Sequence, residues 1–383
     1  MRWLVFLFWV FSLSFLQAQE RCGTLDHSWP LDREQHPALR NERLTVPLIF
    51  HVVYEAGSEP VRREQILSQI DALNRDFNLR HGELFKVPRA FWATIQSAEI
   101  EFCLASKAES EGITYTETDI RNIGQDIFSD GRRTVHYSIL GGKDAFEPEK
   151  VVNIWIADLQ SFAGIATFPN TTVPEEDGII IDSDFFGNTG GEQAEFAEGR
   201  TLVHEMGHYL GLRHPWVNAG CETDDGLDDT PLQDGPYIDC PNPHQTHSCG
   251  SLDMSQNYMQ FNDDACLLYF SRDQVDLMRS VLLNERSTLR MGADQFCGSE
   301  IQSSLNLQMF FHPLKQHLQV YGLNPMEAAE IQIWNTSGQL ALDRALLGQY
   351  VPELGLEHLP AGVYFARLFT PRDQQTLKFI KYE

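Results

Sequence analysis

Positive charge is scarce in this chain of 383 residues: 29 Lys and Arg stand against 54 Asp and Glu, a formal net charge of −25. Such a surface repels phosphate backbones, which sets nucleic acid aside as a partner, and solubility alone accounts for the excess of acid. Long apolar runs are scarce as well. One, Leu4 to Leu16 behind Met1-Arg2-Trp3, is too short to cross a bilayer; with a basic residue before it and Leu16-Gln17-Ala18 after it, residues 1–18 read as a secretory signal. No later segment is apolar enough for a transmembrane helix, so the mature protein is expected outside the cell, free or at its surface. Cysteine is limited to 7 residues; export permits pairing, and an odd number leaves one thiol over. Cys22 lacks the small apolar residues that precede a lipoprotein cysteine, which argues against a lipid anchor. No internal repeat or low-complexity tract stands out, and the length allows two or three domains.

The chemistry-bearing residues are concentrated in His204-Glu205-Met206-Gly207-His208-Tyr209-Leu210-Gly211-Leu212-Arg213-His214. At helical spacing His204 and His208 stand one turn apart and project from one face, as two ligands of one small cation must. Gly211 can adopt a left-handed conformation that ends the helix and turns the chain, so that His214 swings back as a third nitrogen ligand. Three neutral donors leave one position open, which describes a catalytic zinc site and not a closed structural one. Glu205 follows the first His and can reach that open, water-occupied position. A lone His pair on a helix is usually decoration; here the whole spacing fits one geometry. The pattern resembles that of the metzincin metalloproteases, and Asn257-Tyr258-Met259-Gln260-Phe261 resembles their Met-turn.

Along the chain, residues 19–45 have no apolar period and read as a loosely ordered pro-segment containing Arg40 and Arg43. Val46 to Tyr54 reads as the first strand. Ile66, Ile70, Leu73 and Phe77 fall on one face of a helix behind Pro60. Ile100 to Leu104, Val151 to Ile156 and Gly178 to Asp182 read as further strands, and Gly164 to Phe168, stopped by Pro169, as an edge strand. The active-site helix is expected from about residue 193 to Leu210. The segment from Pro215 to Ala265 is irregular, with Cys221, Cys240, Cys249 and Cys266 in or just after it. Ser271 and Gln274 form a capping box for a second helix with Val275, Met278 and Leu282 on one face. This is an α+β catalytic domain over residues 46–297. Residues 300–383 carry short alternating runs and read as a small all-β sandwich.

The zinc motif, Met259, Asn153-Ile154-Trp155, Asp177-Gly178, the stretch Asp225-Gly226-Leu227-Asp228-Asp229-Thr230-Pro231 and the order of Cys221, Cys240, Cys249 and Cys266 together resemble the pappalysin family of metzincins, in particular its short microbial members. The resemblance implies an extracellular endopeptidase with a twisted sheet, a backing helix and an active-site helix, in which Glu205 would act as general base on the zinc-bound water and pass the proton to the leaving amine. Met259 would floor the three histidines. The disulfides would be crossed, Cys221 with Cys249 and Cys240 with Cys266; Cys103 with Cys297 is left over by parity. Asp225, Asp228, Asp229 and the carbonyl of Thr230 resemble the family's calcium loop, with a solvated acidic turn as the plain competing reading. Where relatives carry a Tyr two residues past the Met-turn methionine, this chain has Phe261, which lacks a hydroxyl.

Three further expectations concern regulation, specificity and export. Cys22 is the natural unpaired thiol; relatives carry a similar Arg-Cys-Gly near their start, and its sulfur suits the open zinc position of a latent form, against the plain reading of a half-cystine or an idle thiol. Asp264 matches an acidic residue at the base of the S1′ pocket in short relatives, where it would select Arg or Lys just after the scissile bond, Arg the better because its guanidinium can pair with a carboxylate through two parallel hydrogen bonds; the alternatives are that neighbouring Asp263 faces the pocket, or that both bind calcium or sit in solvent. Arg40 and Arg43 then become self-cleavage sites. Leu359-Pro360-Ala361-Gly362-Val363-Tyr364 and Lys378-Phe379-Ile380-Lys381 resemble the sorting domains of the type IX secretion machinery of Bacteroidetes-type bacteria, against a carbohydrate- or protein-binding module of the same class. The reading is a secreted zinc endopeptidase made as a latent zymogen. Its rival is a non-catalytic adhesin on a protease scaffold, which rests on Phe261.

Overall fold

The computed structural model describes the chain except for residues 1–19, 27–42, 299–307, 322–328, 347–352 and shorter stretches at 82, 126, 128–131, 190–193, 218–219, 313–315, 371–373 and 383. The secretory signal and Arg40 lie outside the described residues.

Strands β1 (Glu20–Cys22), β2 (Leu44–Glu55), β3 (Ile100–Leu104), β4 (Ile113–Thr118), β5 (Val152–Ile156), β6 (Phe162–Ala166) and β7 (Gly178–Ile181) form one sheet in the order β1-β6-β7-β5-β2-β3, with β4 also paired to β2. β2 is buried on both faces: Val46, Leu48, Phe50 and Val52 enter the main core while Ile49 and Val53 enter clusters behind it. Its partners β3, β4 and β5 are all parallel to it, the arrangement in which near-continuous apolar runs are expected. Helix α1 (Arg63–Phe77) buries Ile66, Ile70, Leu73 and Phe77 and lies against β3 and α2 (Arg200–Tyr209), the active-site helix. Helix α3 (Arg272–Leu283) begins with the capping box: Ser271 Oγ accepts from Gln274 N at 3.2 Å and Gln274 Oε1 from Ser271 N at 2.8 Å. Helix α4 (Thr288–Phe296) packs on β2.

Four details depart from expectation. Residues 20–22 are a strand, parallel to β6, and not a loose lead-in. The edge strand β6 is therefore covered on its outer side. The active-site helix starts at Arg200, six residues after a separate 3₁₀ turn at Ala194–Phe196 begins, because Gly199 takes φ 73° and breaks the helical path. The strand β4 and the helix α4 have no clear period in the sequence.

The irregular segment is stapled as the family pattern implied. Cys221 joins Cys249 and Cys240 joins Cys266, around a small hairpin of β8 (His247–Ser248) and β9 (Ser251–Leu252). Loops of this length give about 3 kcal/mol per bridge by chain entropy. A third bridge, Cys103–Cys297, ties β3 to the end of α4.

The C-terminal part is all β among the described residues. β10 (Gln308–His312), β11 (His317–Tyr321) and β14 (Glu353–Gly355) make one sheet; β12 (Ala329–Asn335), β13 (Leu340–Leu346), β15 (Gly362–Phe369) and β16 (Gln374–Lys381) make the other, in the order β13-β12-β15-β16. Leu318, Val320, Ile331, Ile333, Leu354, Ala366 and Leu368 share a separate core. Tyr364 donates its hydroxyl to Pro360 O at 2.9 Å, closing the turn before β15. Tyr382 meets the catalytic part, its ring 5.1 Å from that of Trp92 with Arg89 over it. Among the described residues no helix is long and apolar enough to cross a membrane.

Candidate metal centre

Every residue of α2 is buried, so its polar side chains must be satisfied from within. His204 and His208 project from one face. Gly211, at φ 93°, ends the helix: its N–H reaches His208 O at 2.8 Å and Leu212 N reaches Gly207 O at 2.9 Å. The reversed chain brings His214 back, stacked on Trp216 with ring centroids 4.7 Å apart.

The three Nε2 atoms stand 3.1, 3.1 and 3.3 Å from one another. Each ring has a partner for its other nitrogen. Nδ1 of His204 donates to Tyr258 O at 2.8 Å, that of His208 to Leu212 O at 2.7 Å and that of His214 to Asp26 Oδ2 at 3.0 Å. With the proton on Nδ1, each Nε2 offers a lone pair. Burial and the neighbouring rings push His208 down to about 3 and His204 well below its usual value, so those two rings are neutral. Three lone pairs this close repel unless a cation lies between them. Zinc–nitrogen bonds of about 2.0–2.1 Å in tetrahedral geometry require nitrogens about 3.3 Å apart. The donor set fits zinc. Cys22 joins it: one ligand atom from each of Cys22, His204, His208 and His214 lies within 4.8 Å of the others, and among the described residues no second His, Cys, Asp or Glu group does this.

Two glycines set the close packing here. A Cβ on Gly207 would meet Met259 Sδ at 2.5 Å, so Met259 lies directly beneath the helix. A Cβ on Gly164 would meet Glu205 Cγ at 2.6 Å, so β6 can approach the carboxylate only without a side chain. Burial pushes Glu205 up to about 7, against the pull of Cys22, Thr24 and Arg21. The Met-turn is held by Asn257, whose Oδ1 accepts from Met259 N at 2.9 Å and whose amide pairs with that of Gln274. The capping-box glutamine thus also fixes the turn, a role with no signal in the sequence.

Phe261 packs against the metal face, its ring 5.8 Å from His204 and 5.1 Å from His214. Tyr258 is no substitute for a hydroxyl there. Its phenol points away to His81 Nε2 at 3.3 Å, and it serves the site through its carbonyl.

Residues 20–26 cross this face. Gly23 N donates to Gly164 O at 2.9 Å, and Thr24 Oγ donates to Glu205 Oε2 at 2.9 Å and accepts from Ala166 N at 2.8 Å. Arg21, 3% exposed, donates to Asp264 Oδ1 at 2.5 Å and to Asn262 O at 2.6 Å, with the Phe196 ring 5.2 Å away. Asp264 Oδ2 is already taken by the amides of Glu198 and Arg200, at 3.0 and 2.9 Å. The two parallel bonds expected on one carboxylate are therefore divided between Asp264 and the Asn262 carbonyl. Asp263 is only half-buried, with its amide on Asp239 O at 3.2 Å.

The acidic loop is split. Asp225 is buried, with Oδ1 on Leu227 N at 3.0 Å and Thr230 Oγ at 2.7 Å, and Oδ2 without a partner. Asp229 serves the start of α3, accepting from Ser271 Oγ at 2.6 Å and Asp273 N at 3.1 Å. Asp228 is exposed.

Residues 140–283 match the Pregnancy-associated plasma protein-A peptidase family. An extracellular metalloprotease of Arthroderma benhamiae is 26% identical over 292 residues, 70% of this chain and 85% of the relative. Mature mirolysin of Tannerella forsythia, solved in complex with a cleaved peptide, is 32% identical with a TM-score of 0.62, covering 67% of this chain and 99% of mirolysin. A promirolysin mutant of the same organism is 31% identical with a TM-score of 0.62, covering 68% of this chain and 88% of the other. The converging histidines and these likenesses agree: the chain belongs to the Pregnancy-associated plasma protein-A family, the pappalysins, and is a zinc metalloendopeptidase.

Proposed function

We propose that the enzyme is secreted as a latent zymogen and, once active, cuts peptide bonds on the N-terminal side of Arg, and of Lys less well. His204, His208 and His214 would hold the zinc, which when bound supplies a Lewis acid for charge developing on the scissile carbonyl oxygen. Glu205 takes a proton from the attacking water and passes it to the leaving amine. In the latent form the Thr24 hydroxyl stands in for that water, 2.9 Å from Glu205 Oε2. Gly164 O and Ala166 N, now spent on Gly23 and Thr24, become available to a substrate backbone when residues 20–26 leave.

Arg21 on Asp264 carries the specificity reading, because the chain's own guanidinium fills the pocket proposed for the substrate. A planar fork reaches both Asp264 and the Asn262 carbonyl; an ammonium reaches them less well. A peptide-library digest should yield products beginning with Arg. Asp264→Ala should lose that preference by about 10- to 150-fold, the roughly 1.5–3 kcal/mol of a charged hydrogen bond. Products beginning mostly with Leu or Phe would overturn the assignment.

Latency rests on Cys22 as fourth ligand, and activation on cuts before Arg40 or Arg43. Arg43 immediately precedes β2 and is 37% exposed at its side chain. Calcium enters through Asp225, whose unpartnered oxygen is buried and whose carboxyl burial pushes up to about 7; a hard cation there would keep it ionised. Asp229 is better explained as the staple of α3, which leaves Asp225 and the Thr230 carbonyl as the core of a calcium site. The two-sheet C-terminal part is read as an immunoglobulin-like sorting domain for type IX export. Supporting this, Tyr364 and Pro360 of the sorting motif close one turn. The adhesin reading has no support beyond Phe261.

A further inference from the structure

The three histidines differ in what orients them. His204 and His208 place Nδ1 on the carbonyls of Tyr258 and Leu212, both parts of the catalytic domain itself. His214 instead places Nδ1 on Asp26 Oδ2 at 3.0 Å, while its own amide donates to Asp26 Oδ1 at 3.0 Å. A carboxylate behind a ligating imidazole fixes its tautomer and raises its basicity, and losing such a partner costs about 10- to 100-fold in metal affinity. Here that carboxylate lies in the segment that activation removes.

We propose that Asp26 is a positioning residue for His214, and that it makes the pro-segment a device for holding zinc as well as for blocking the cleft. The inference rests on the zymogen reading. The precursor then binds zinc with three oriented histidines and Cys22, and the mature enzyme with two oriented histidines and one, His214, released to water. Activation uncovers the site and loosens its hold on the metal in the same event, so that zinc is loaded most securely before the enzyme can cut.

The test uses the full-length chain carrying Glu205→Gln, so that it stays uncleaved, loaded with one zinc, with metal loss followed in excess chromogenic chelator. Adding Asp26→Ala should speed zinc loss about tenfold. Asp26→Asn, with one acceptor oxygen for two donors, should fall between. Arg21→Ala, which loosens the same segment without touching a histidine, should leave the rate near that of the parent. In a second arm, catalytically competent wild-type and Asp26→Ala chains are allowed to mature. Their mature forms should lose zinc at the same rate, faster than the uncleaved parent. Equal rates for Asp26→Ala and the parent would overturn the proposal. So would equal acceleration by Arg21→Ala, or a difference that survives maturation. A parent chain that takes up no zinc would overturn this inference together with the metal reading.

Discussion

Two stretches meet at the same three histidines and were written in different ways. Helix α2 and its turn carry their information locally: His204 and His208 a turn apart, Gly211 to reverse the chain, His214 to complete the set. Residues 20–26 carry almost none. Only Cys22 marks them, yet four groups of the active site are met there: Arg21 on Asp264, Cys22 beside the histidines, Thr24 on Glu205, Asp26 on His214. A helix is specified by residues three and four apart. A short edge strand is specified by the edge it meets, here β6 some 140 residues downstream in sequence, with Cys22 opposite Gly164.

If the helix holds the chemistry and the strand only restrains it, variants on the two sides should differ in kind. The largest effect belongs to Glu205→Gln. It should keep one zinc, because Glu205 is not among the ligands, and lose at least about 10³-fold in hydrolysis of a denatured protein, the upper part of the range for a general base. His208→Ala should lose both zinc and activity. Full activity in a zinc-loaded Glu205→Gln sample would sink the mechanism.

On the strand side, Cys22→Ala should mature several-fold sooner without being fully active at the outset. Arg21, Thr24 and Asp26 still hold their partners when the sulfur is gone. A time course of precursor and mature bands decides this. Unchanged kinetics would leave Cys22 without a latency role, and immediate full activity would mean the other contacts restrain nothing.

What could be read in the sequence follows the same division. The α1 face, the Ser271–Gln274 box, the central strands and the metal motif are local patterns, and they were legible. The start of α2 is not legible because Ala194 to Glu198 include good helix formers, and only the left-handed Gly199 separates their 3₁₀ turn from the helix. Helix α4 is short with Gly292 inside it, and β4 exposes Tyr115, so neither shows a clean period. The three aspartates of the loop look alike in the sequence. Only tertiary contacts separate Asp225, left with a bare buried oxygen, from Asp229, engaged at α3. Asp26 has no motif at all, because its partner is set by the path of the chain.

A smaller effect is expected where the helix rests on the Met-turn. Gly207→Ala puts a methyl group 2.5 Å from Met259 Sδ, and overpacking of this kind costs about 1–3 kcal/mol. Thioethers adapt, so the zinc should remain and the melting temperature should fall. A variant as stable as the parent would mean that Met259 does not press on α2.

The smallest effect expected is at Tyr258, which stands beside the methionine and invites a catalytic role for its phenol. Its hydroxyl instead faces His81 Nε2 at 3.3 Å, in a buried layer with Asp76 and Arg200, while its carbonyl takes the Nδ1 proton of His204. Removing the hydroxyl leaves the carbonyl in place. Tyr258→Phe should therefore keep kcat within about twofold and lose about 1 kcal/mol of stability, the usual net worth of one hydrogen bond. Phe261 already lines the other side of the histidines with an apolar ring, so neither aromatic then supplies a hydroxyl to the reaction. A large fall in kcat with unchanged stability would reverse this assignment and return the phenol of Tyr258 to the active site.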